Sequence, residues 1–225
     1  IYRGQIWLSI RVTTIVTVLG TGLGLILTVL AAYALSKKKL KGRAWITGLI
    51  LFTMYFSGGL IPSYILITQT LHLKDSILSL VLPPAVSAYT LIIVRNFFMT
   101  IPDELEESAK IDGASDFRVL YSIIVPLSKP VLATVALWGV VFHWNAWFDC
   151  MLYIGNQKDF VLQYVLRQIL IEGQIQDMNI TTGNFVNTET MKMATLVVSI
   201  LPVLCAYPFL QKYFVKGVMI GAVKG

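Results

Sequence analysis

The side chains able to do chemistry in this sequence are few, and most stand alone. His72 and His143 have no companion at metal-ligand spacing, so neither opens a metal site. Cys150 and Cys205 are far apart, form no disulfide framework, and read as packing thiols. A GxxxxGK[ST] phosphate loop is absent, and "GTGLG" at Gly20–Gly24 has the wrong spacing inside an apolar run. The sequence thus offers no catalytic residue, no metal site and no cofactor site. Its one dense run of acidic residues is "DELEESAKIDGASDF", from Asp103 to Phe117. Such a run suits docking against a partner better than making bonds.

The rest of the chain is of another kind. It is 56% hydrophobic and 13% charged, with mean hydropathy +0.72, against about 25% charged in soluble domains. That composition predicts an all-α, polytopic transmembrane helix bundle. Five stretches are long and apolar enough to cross a bilayer, at residues 12–35, 44–67, 77–98, 131–148 and 193–215. Basic residues orient them. The loop after the first stretch, the charged loop before the fourth, and the tail hold 12 Lys and Arg. The opposite loops hold 4, or 6 with Arg3 and Arg11. The basic side is therefore cytoplasmic, C-terminus included. The net charge of +6 reflects those loops rather than a nucleic-acid partner. Five spans with an external start imply a sixth, N-terminal one.

Several spans carry helix breakers. "FSGGLIPSY" sets Gly58, Gly59 and Pro62 in the second, and "LVLPPAVSAY" sets Pro83 and Pro84 in the third. Freed backbone groups survive in a membrane only against protein or a water-filled cavity. These breaks fit either kinks in a tight bundle or a pathway. Gly20 and Gly24 form a GxxxG pair, a close-packing signal.

The charged loop, residues 100–130, has its own grammar. Thr100 and Asp103 have capping-box spacing, Pro102 suits a first turn, and the acids crowd a helix N-terminus. Leu105, Ala109 and Asp112 share one face. Gly113 permits a turn closed to most residues. A second helix follows, with Phe117, Leu120, Tyr121 and Ile124 as its apolar stripe, and Pro126 stops it. The result is a helix–turn–helix elbow on the cytoplasmic face. An acidic first helix is poorly suited to the negative cytoplasmic leaflet, so the elbow's partner is read as protein rather than lipid.

"EESAKIDGASDFRVLYSIIVP" resembles the EAA loop of ABC-importer permeases. Glu107, Ala109, Gly113, Ile123 and Pro126 match that motif, while Ser108 and Val125 depart from it conservatively. "AAYALSKKKLKGR", "TMYFSGGLIPSYILI", "LPPAVSAYTLIIVRNFF", "WNAWFD" and "FVKGVMIGAVKG" look like MalG-type permeases of carbohydrate importers, most like their oligosaccharide and polysaccharide branch. The resemblance implies a single transmembrane domain over residues 1–225 with a coupling loop at 100–130 and an extracytoplasmic loop at 150–190. It implies a bacterial cytoplasmic-membrane location and no enzymatic activity in this chain. It also implies partners: ABC ATPase subunits carrying ATP and Mg, a second and related permease, an extracytoplasmic solute-binding protein, membrane lipid and an oligosaccharide. Leu105, Glu107, Ala109, Asp112 and Gly113 are then the expected ATPase-docking residues.

For the substrate pathway the sequence offers "FHWNAWFD", at the outer end of the fourth span. Its tryptophans fit a membrane-interface belt. Equally, indoles pack against the C–H faces of sugar rings, and Asn145 and Asp149 can meet sugar hydroxyls. Trp144, Asn145, Trp147 and Asp149 are the candidates, with Tyr55, Tyr64 and Tyr89 beside the broken helices as secondary ones. "DFVLQYVLRQILIEG" reads as an amphipathic helix for the interface or the binding protein. Two other readings stand beside this one. A permease for a non-sugar solute shares its architecture. An ion-coupled transporter would place ionisable groups mid-span, where this sequence has almost none.

Overall fold

The computed structural model describes residues 2–178 and, beyond them, the helical positions Met193, Val197, Ile200 and Leu204. Every regular element among the described residues is helical. The first is α1, Tyr2–Ser36, 35 residues long. At 1.5 Å per residue it measures about 52 Å, so it overruns the roughly 30 Å hydrocarbon core. It starts ten residues before the predicted span. α2, Arg43–Tyr55, and α3, Leu60–Ile65, divide the second predicted span. The break falls at residues 56–59, where Gly59 has φ 89°. α3 runs on as a wide π turn, Leu66–Thr70. The third span divides as well, into α4, Leu78–Val81, and α5, Ala88–Phe98, on either side of Pro83 and Pro84.

The elbow follows as α6, Asp103–Ile111, then α7, Asp116–Val119, a π turn at Leu120–Ile124, and α8, Val125–Leu127. α9, Lys129–Trp144, is the core of the fourth span. α10, Phe148–Tyr153, and α11, Leu162–Met178, complete the described chain. Pro126 does not stop the second elbow helix as expected. It lies inside helix, because the π turn carries the Val125 N–H back to the Leu120 carbonyl and absorbs the irregularity a proline creates. The chain instead turns by 83° after Leu127, between the elbow helix and α9. Among the described residues one unbroken helix, Gly4–Ser36, is long and apolar enough to cross a bilayer, or three if each broken pair counts as one span. The predicted fifth span lies outside the described residues except for its four helical positions. So does most of the second half of the predicted outer loop.

The chain divides into two compact units. One takes Thr21–Gly59 and Pro84–Gly139. Its core joins Ala32 and Tyr33 of α1, Val94 and Phe98 of α5, Val119, Leu120 and Ile124 of the elbow, and Val135 of α9. Gly24 lies against the Ala85 carbonyl, where a Cβ would come within 2.8 Å of the oxygen. The proline-broken stretch thus rests on the second glycine of the GxxxG pair.

The other unit takes the chain up to Gly20, Leu60–Pro83 and the described residues from Val140 on. α1 here presents Ser9, Thr13 and Thr17 inward, at helical spacing. The Thr13 hydroxyl donates to the Ser9 carbonyl (2.7 Å) and accepts the Leu162 N–H (2.7 Å). It satisfies the first, otherwise orphaned donor of α11. Trp144, Leu162 and Leu166 form a small core with Ile6 and Ile10. Asp75, at φ 58°, donates its N–H to the Tyr153 carbonyl (2.9 Å) and accepts the Gly155 N–H on its carboxylate.

His143 is buried over Gly20, and a Cβ on that glycine would sit 2.4 Å from the imidazole. The lone histidine is a packing group closed against the first glycine of the pair. Gly20→Ala should therefore lower the thermal midpoint of the purified protein, overpacking costing about 1–3 kcal/mol. Combining it with His143→Ala should restore part of the loss. A Gly20→Ala protein as stable as wild type would contradict this packing.

Candidate functional site

The elbow is built around one turn. α6 ends in a Schellman motif, with the Gly113 N–H donating to the Lys110 carbonyl (3.0 Å) and the Ala114 N–H to the Ala109 carbonyl (2.9 Å). Gly113 has φ 81°. A Cβ there would meet open space, so glycine is required by backbone conformation and not by crowding. Ser115 then caps α7, its hydroxyl accepting the Arg118 N–H. The expected capping box at α6 does not form. Thr100 donates to the Phe97 carbonyl instead, and Asp103 turns to Lys38.

The apolar stripe expected on the second elbow helix is divided. Leu120 and Ile124 are buried, joined by Val119, whereas Phe117 and Tyr121 are 76% and 79% exposed. The wide π turn changes the angular step per residue, so the four positions no longer share a face. Ile111 is 86% exposed and Leu105 is exposed as well. The acidic elbow therefore carries a set of exposed large apolar side chains that the other described residues leave uncovered: Leu105, Ile111, Phe117 and Tyr121. Spacing marked Phe117 and Tyr121 as apolar, but not which side they take. Ile111 was missed because it lies off the predicted face. Of the expected docking residues, Leu105, Glu107, Asp112 and Gly113 reach solvent. Ala109 is half-buried and packs inward against the core.

Lysines that follow α1 hold the elbow. Lys37 pairs with Glu106, and its ammonium lies 3.9 Å from the centroid of the Tyr33 ring. Lys38 pairs with Asp103 at 2.9 Å, and Lys110 with Asp116 at 2.7 Å across the Gly113 turn. The Arg95 guanidinium donates to the Leu35 carbonyl (3.1 Å) and closes the end of α1. A cleft of about 520 Å³ opens among these groups, lined in part by Tyr33, Lys37, Asp103, Glu106, Glu107 and Lys110. Lys38 holds the Asp103 carboxyl below its ordinary range, through the hydrogen bond first and its charge second.

At the opposite predicted face, Trp144 is buried in the small apolar core, which removes it from any open surface of this chain. Asn145 is exposed; its amide donates to the Val141 carbonyl (2.8 Å) and its oxygen accepts from Gln163 (3.4 Å). Trp147 lies under the Arg167 guanidinium, 3.8 Å from ring centroid to Cζ. Asp149, beyond the end of α9, is half-buried, and burial raises its carboxyl above the ordinary value. Asn145 and Trp147 thus both meet side chains of α11, while Trp144 packs against Leu162 and Leu166 of the same helix. Tyr64 stacks on Tyr153 at 6.0 Å, Tyr89 leans on Trp138 at 5.9 Å, and Tyr55 stands exposed. No cluster of metal-ligating groups occurs among the described residues.

Asp103 is the titrating half of the Lys38 tie. With its carboxyl lowered, the pairing is complete above the ordinary aspartate range and fades as pH falls through the lowered value. The carboxyl carbon of Asp103, followed by NMR, should titrate below the ordinary range and return to it in Lys38→Ala. No change in that variant would contradict the tie.

Residues 20–220 match a family model described as "Binding-protein-dependent transport system inner membrane component". The polygalacturonan/rhamnogalacturonan transport system permease protein YtcP of Bacillus subtilis is 44% identical over 225 residues, covering 98% of this chain and 78% of the relative. Protein LplC of the same organism is 45% identical over 222 residues, covering 96% and 74%. Among solved structures, a chain of a bacterial ABC transporter involved in the import of the acidic polysaccharide alginate aligns with TM-score 0.83 and 34% identity, over 93% of this chain and 75% of that one.

Proposed function

Because the chain belongs to the family of binding-protein-dependent transport system inner membrane components, we propose that it is the permease half of an oligosaccharide importer whose charged elbow docks an ATPase subunit. It is a multi-pass membrane protein. Family membership leaves the ion-coupled reading without support. The names of the relatives favour a carbohydrate over another solute, since both YtcP and the alginate transporter handle polysaccharides. The chain catalyses nothing itself; ATP and Mg belong to the docked subunit. A second, related permease completes the pathway, and a solute-binding protein delivers sugar on the outer side. The basic loops, the elbow and the C-terminus lie in the cytoplasm.

The observation that carries this reading is the exposed apolar set on an otherwise acidic elbow. Driving a two-state protein from 1:99 to 99:1 takes about 5.5 kcal/mol. Exposed ion pairs supply roughly 0–1 kcal/mol each, too little for Glu107 and Asp112 to do so. Burying a large apolar side chain supplies roughly 1.5–3 kcal/mol, so Ile111, Phe117 and Tyr121 reach that scale once a cleft covers them. Glu107 and Asp112 then set orientation. Leu105 adds contact area, Ala109 keeps α6 close to its own core, and Gly113 fixes the angle between the two elbow helices.

Isolation of the full-length protein from mild-detergent membranes tests the assignment. Wild type should bring an ABC ATPase and a second permease. Phe117→Ala/Tyr121→Ala should lose the ATPase and keep the permease. Gly113→Pro, which cannot reach positive φ and lacks the N–H bonded to Lys110, should do the same, while Gly113→Ala should retain partial binding at a cost of about 1–2 kcal/mol. Undiminished ATPase recovery with both double and proline variants would sink the docking assignment.

A further inference from the structure

Resting on the carbohydrate reading above, we infer that Arg167, Trp147, Gln163 and Asn145 form a contact for acidic sugars, recognising the carboxylate and ring of a uronate residue. Gln163 and Arg167 sit four residues apart on α11 and so point the same way. Each meets one residue of the segment that follows α9. Gln163 reaches the Asn145 amide at 3.4 Å, and Arg167 lies over Trp147 at 3.8 Å. The pairs make two adjacent stations, one of amides and one of cation on indole.

The guanidinium is poised for an anion. It is exposed, and among the described residues no Asp or Glu lies within ion-pair distance of it. Contact with the indole restrains the guanidinium, so its donor fork keeps less rotamer freedom than that of a free arginine. A planar fork matches a carboxylate with two parallel hydrogen bonds. The amides beside it offer donors and acceptors to the hydroxyls of the same or the next ring. Asp149, the acid nearest Trp147 in sequence, is half-buried, and no ion pair joins it to Arg167 among the described residues.

Packing and hydrogen bonds anchor the start of α11: Trp144 packs with Leu162 and Leu166, and Thr13 holds the first N–H of the helix. Gln5 donates from α1 to the Gln157 carbonyl ahead of that helix. A site held this way loses little entropy on binding.

The test uses the permease–ATPase complex in detergent, with the solute-binding protein left out so that its own affinity does not mask the contact. Calorimetry compares an oligogalacturonate with its methyl ester, the same rings without the charge. Arg167→Ala should weaken oligogalacturonate binding about tenfold or more, leave the methyl ester unchanged, and abolish the preference of wild type for the acid. Arg167→Lys should fall between, since a point charge attracts a carboxylate without the bidentate fit. Both variants should still carry the ATPase, which shows that they fold. Wild type that binds the two sugars alike, or an Arg167→Ala loss equal for both, overturns the inference and leaves the carbohydrate reading standing. A complex that binds neither, and whose ATPase no carbohydrate stimulates, overturns both.

Discussion

One apolar seam decides the arrangement of the elbow. Val119, Leu120 and Ile124 of the elbow are buried against Ala32 and Tyr33 of α1, Val94 and Phe98 of α5, and Val135 of α9. Packing those three inward fixes the rotation of the second elbow helix. Phe117 and Tyr121 must then face out, and the Schellman turn at Gly113 sets α6 beside them. Nothing in the elbow's own hydrogen bonds would choose that rotation. The seam holds because burying three aliphatic residues outweighs leaving two rings exposed.

Charge refines what packing fixes. Lys37 touches both the Tyr33 ring and Glu106, so one ammonium links the end of α1 to α6. Lys38 and Asp103 make a second link, fully exposed and easily screened. α6 is therefore joined to α1 by side chains and to α9 by the chain itself. A push on the elbow has two routes toward the membrane-spanning helices within this unit.

Much of this was legible in the sequence, and the limits have physical causes. The helical class, the breaks at Gly59 and Pro83–Pro84, and the positive φ at Gly113 follow from hydrophobic length and from backbone sterics, which are local. Which way Phe117 and Tyr121 point is not local, because a π turn changes the helical step and no residue pattern announces it. Pro126 was read as a stop because proline usually ends a helix, yet the same wide turn lets the helix pass through it. Trp144 and Trp147 look alike in sequence. Only the packing of Leu162 and Leu166 buries the first and leaves the second to Arg167. The GxxxG pair announced close packing correctly, but its partners, an imidazole and a backbone carbonyl, could not be read from spacing.

The central claim is that the exposed face of the elbow is a docking surface for an ATPase. A photo-crosslinking side chain at Phe117, introduced in the full complex in native membranes, tests it most directly. The account predicts a crosslink to the ATPase subunit whose yield changes when ATP and vanadate close that subunit, with no such product from the same group at Trp45, outside the elbow. Crosslinks from Phe117 to lipid alone, with or without nucleotide, would contradict it.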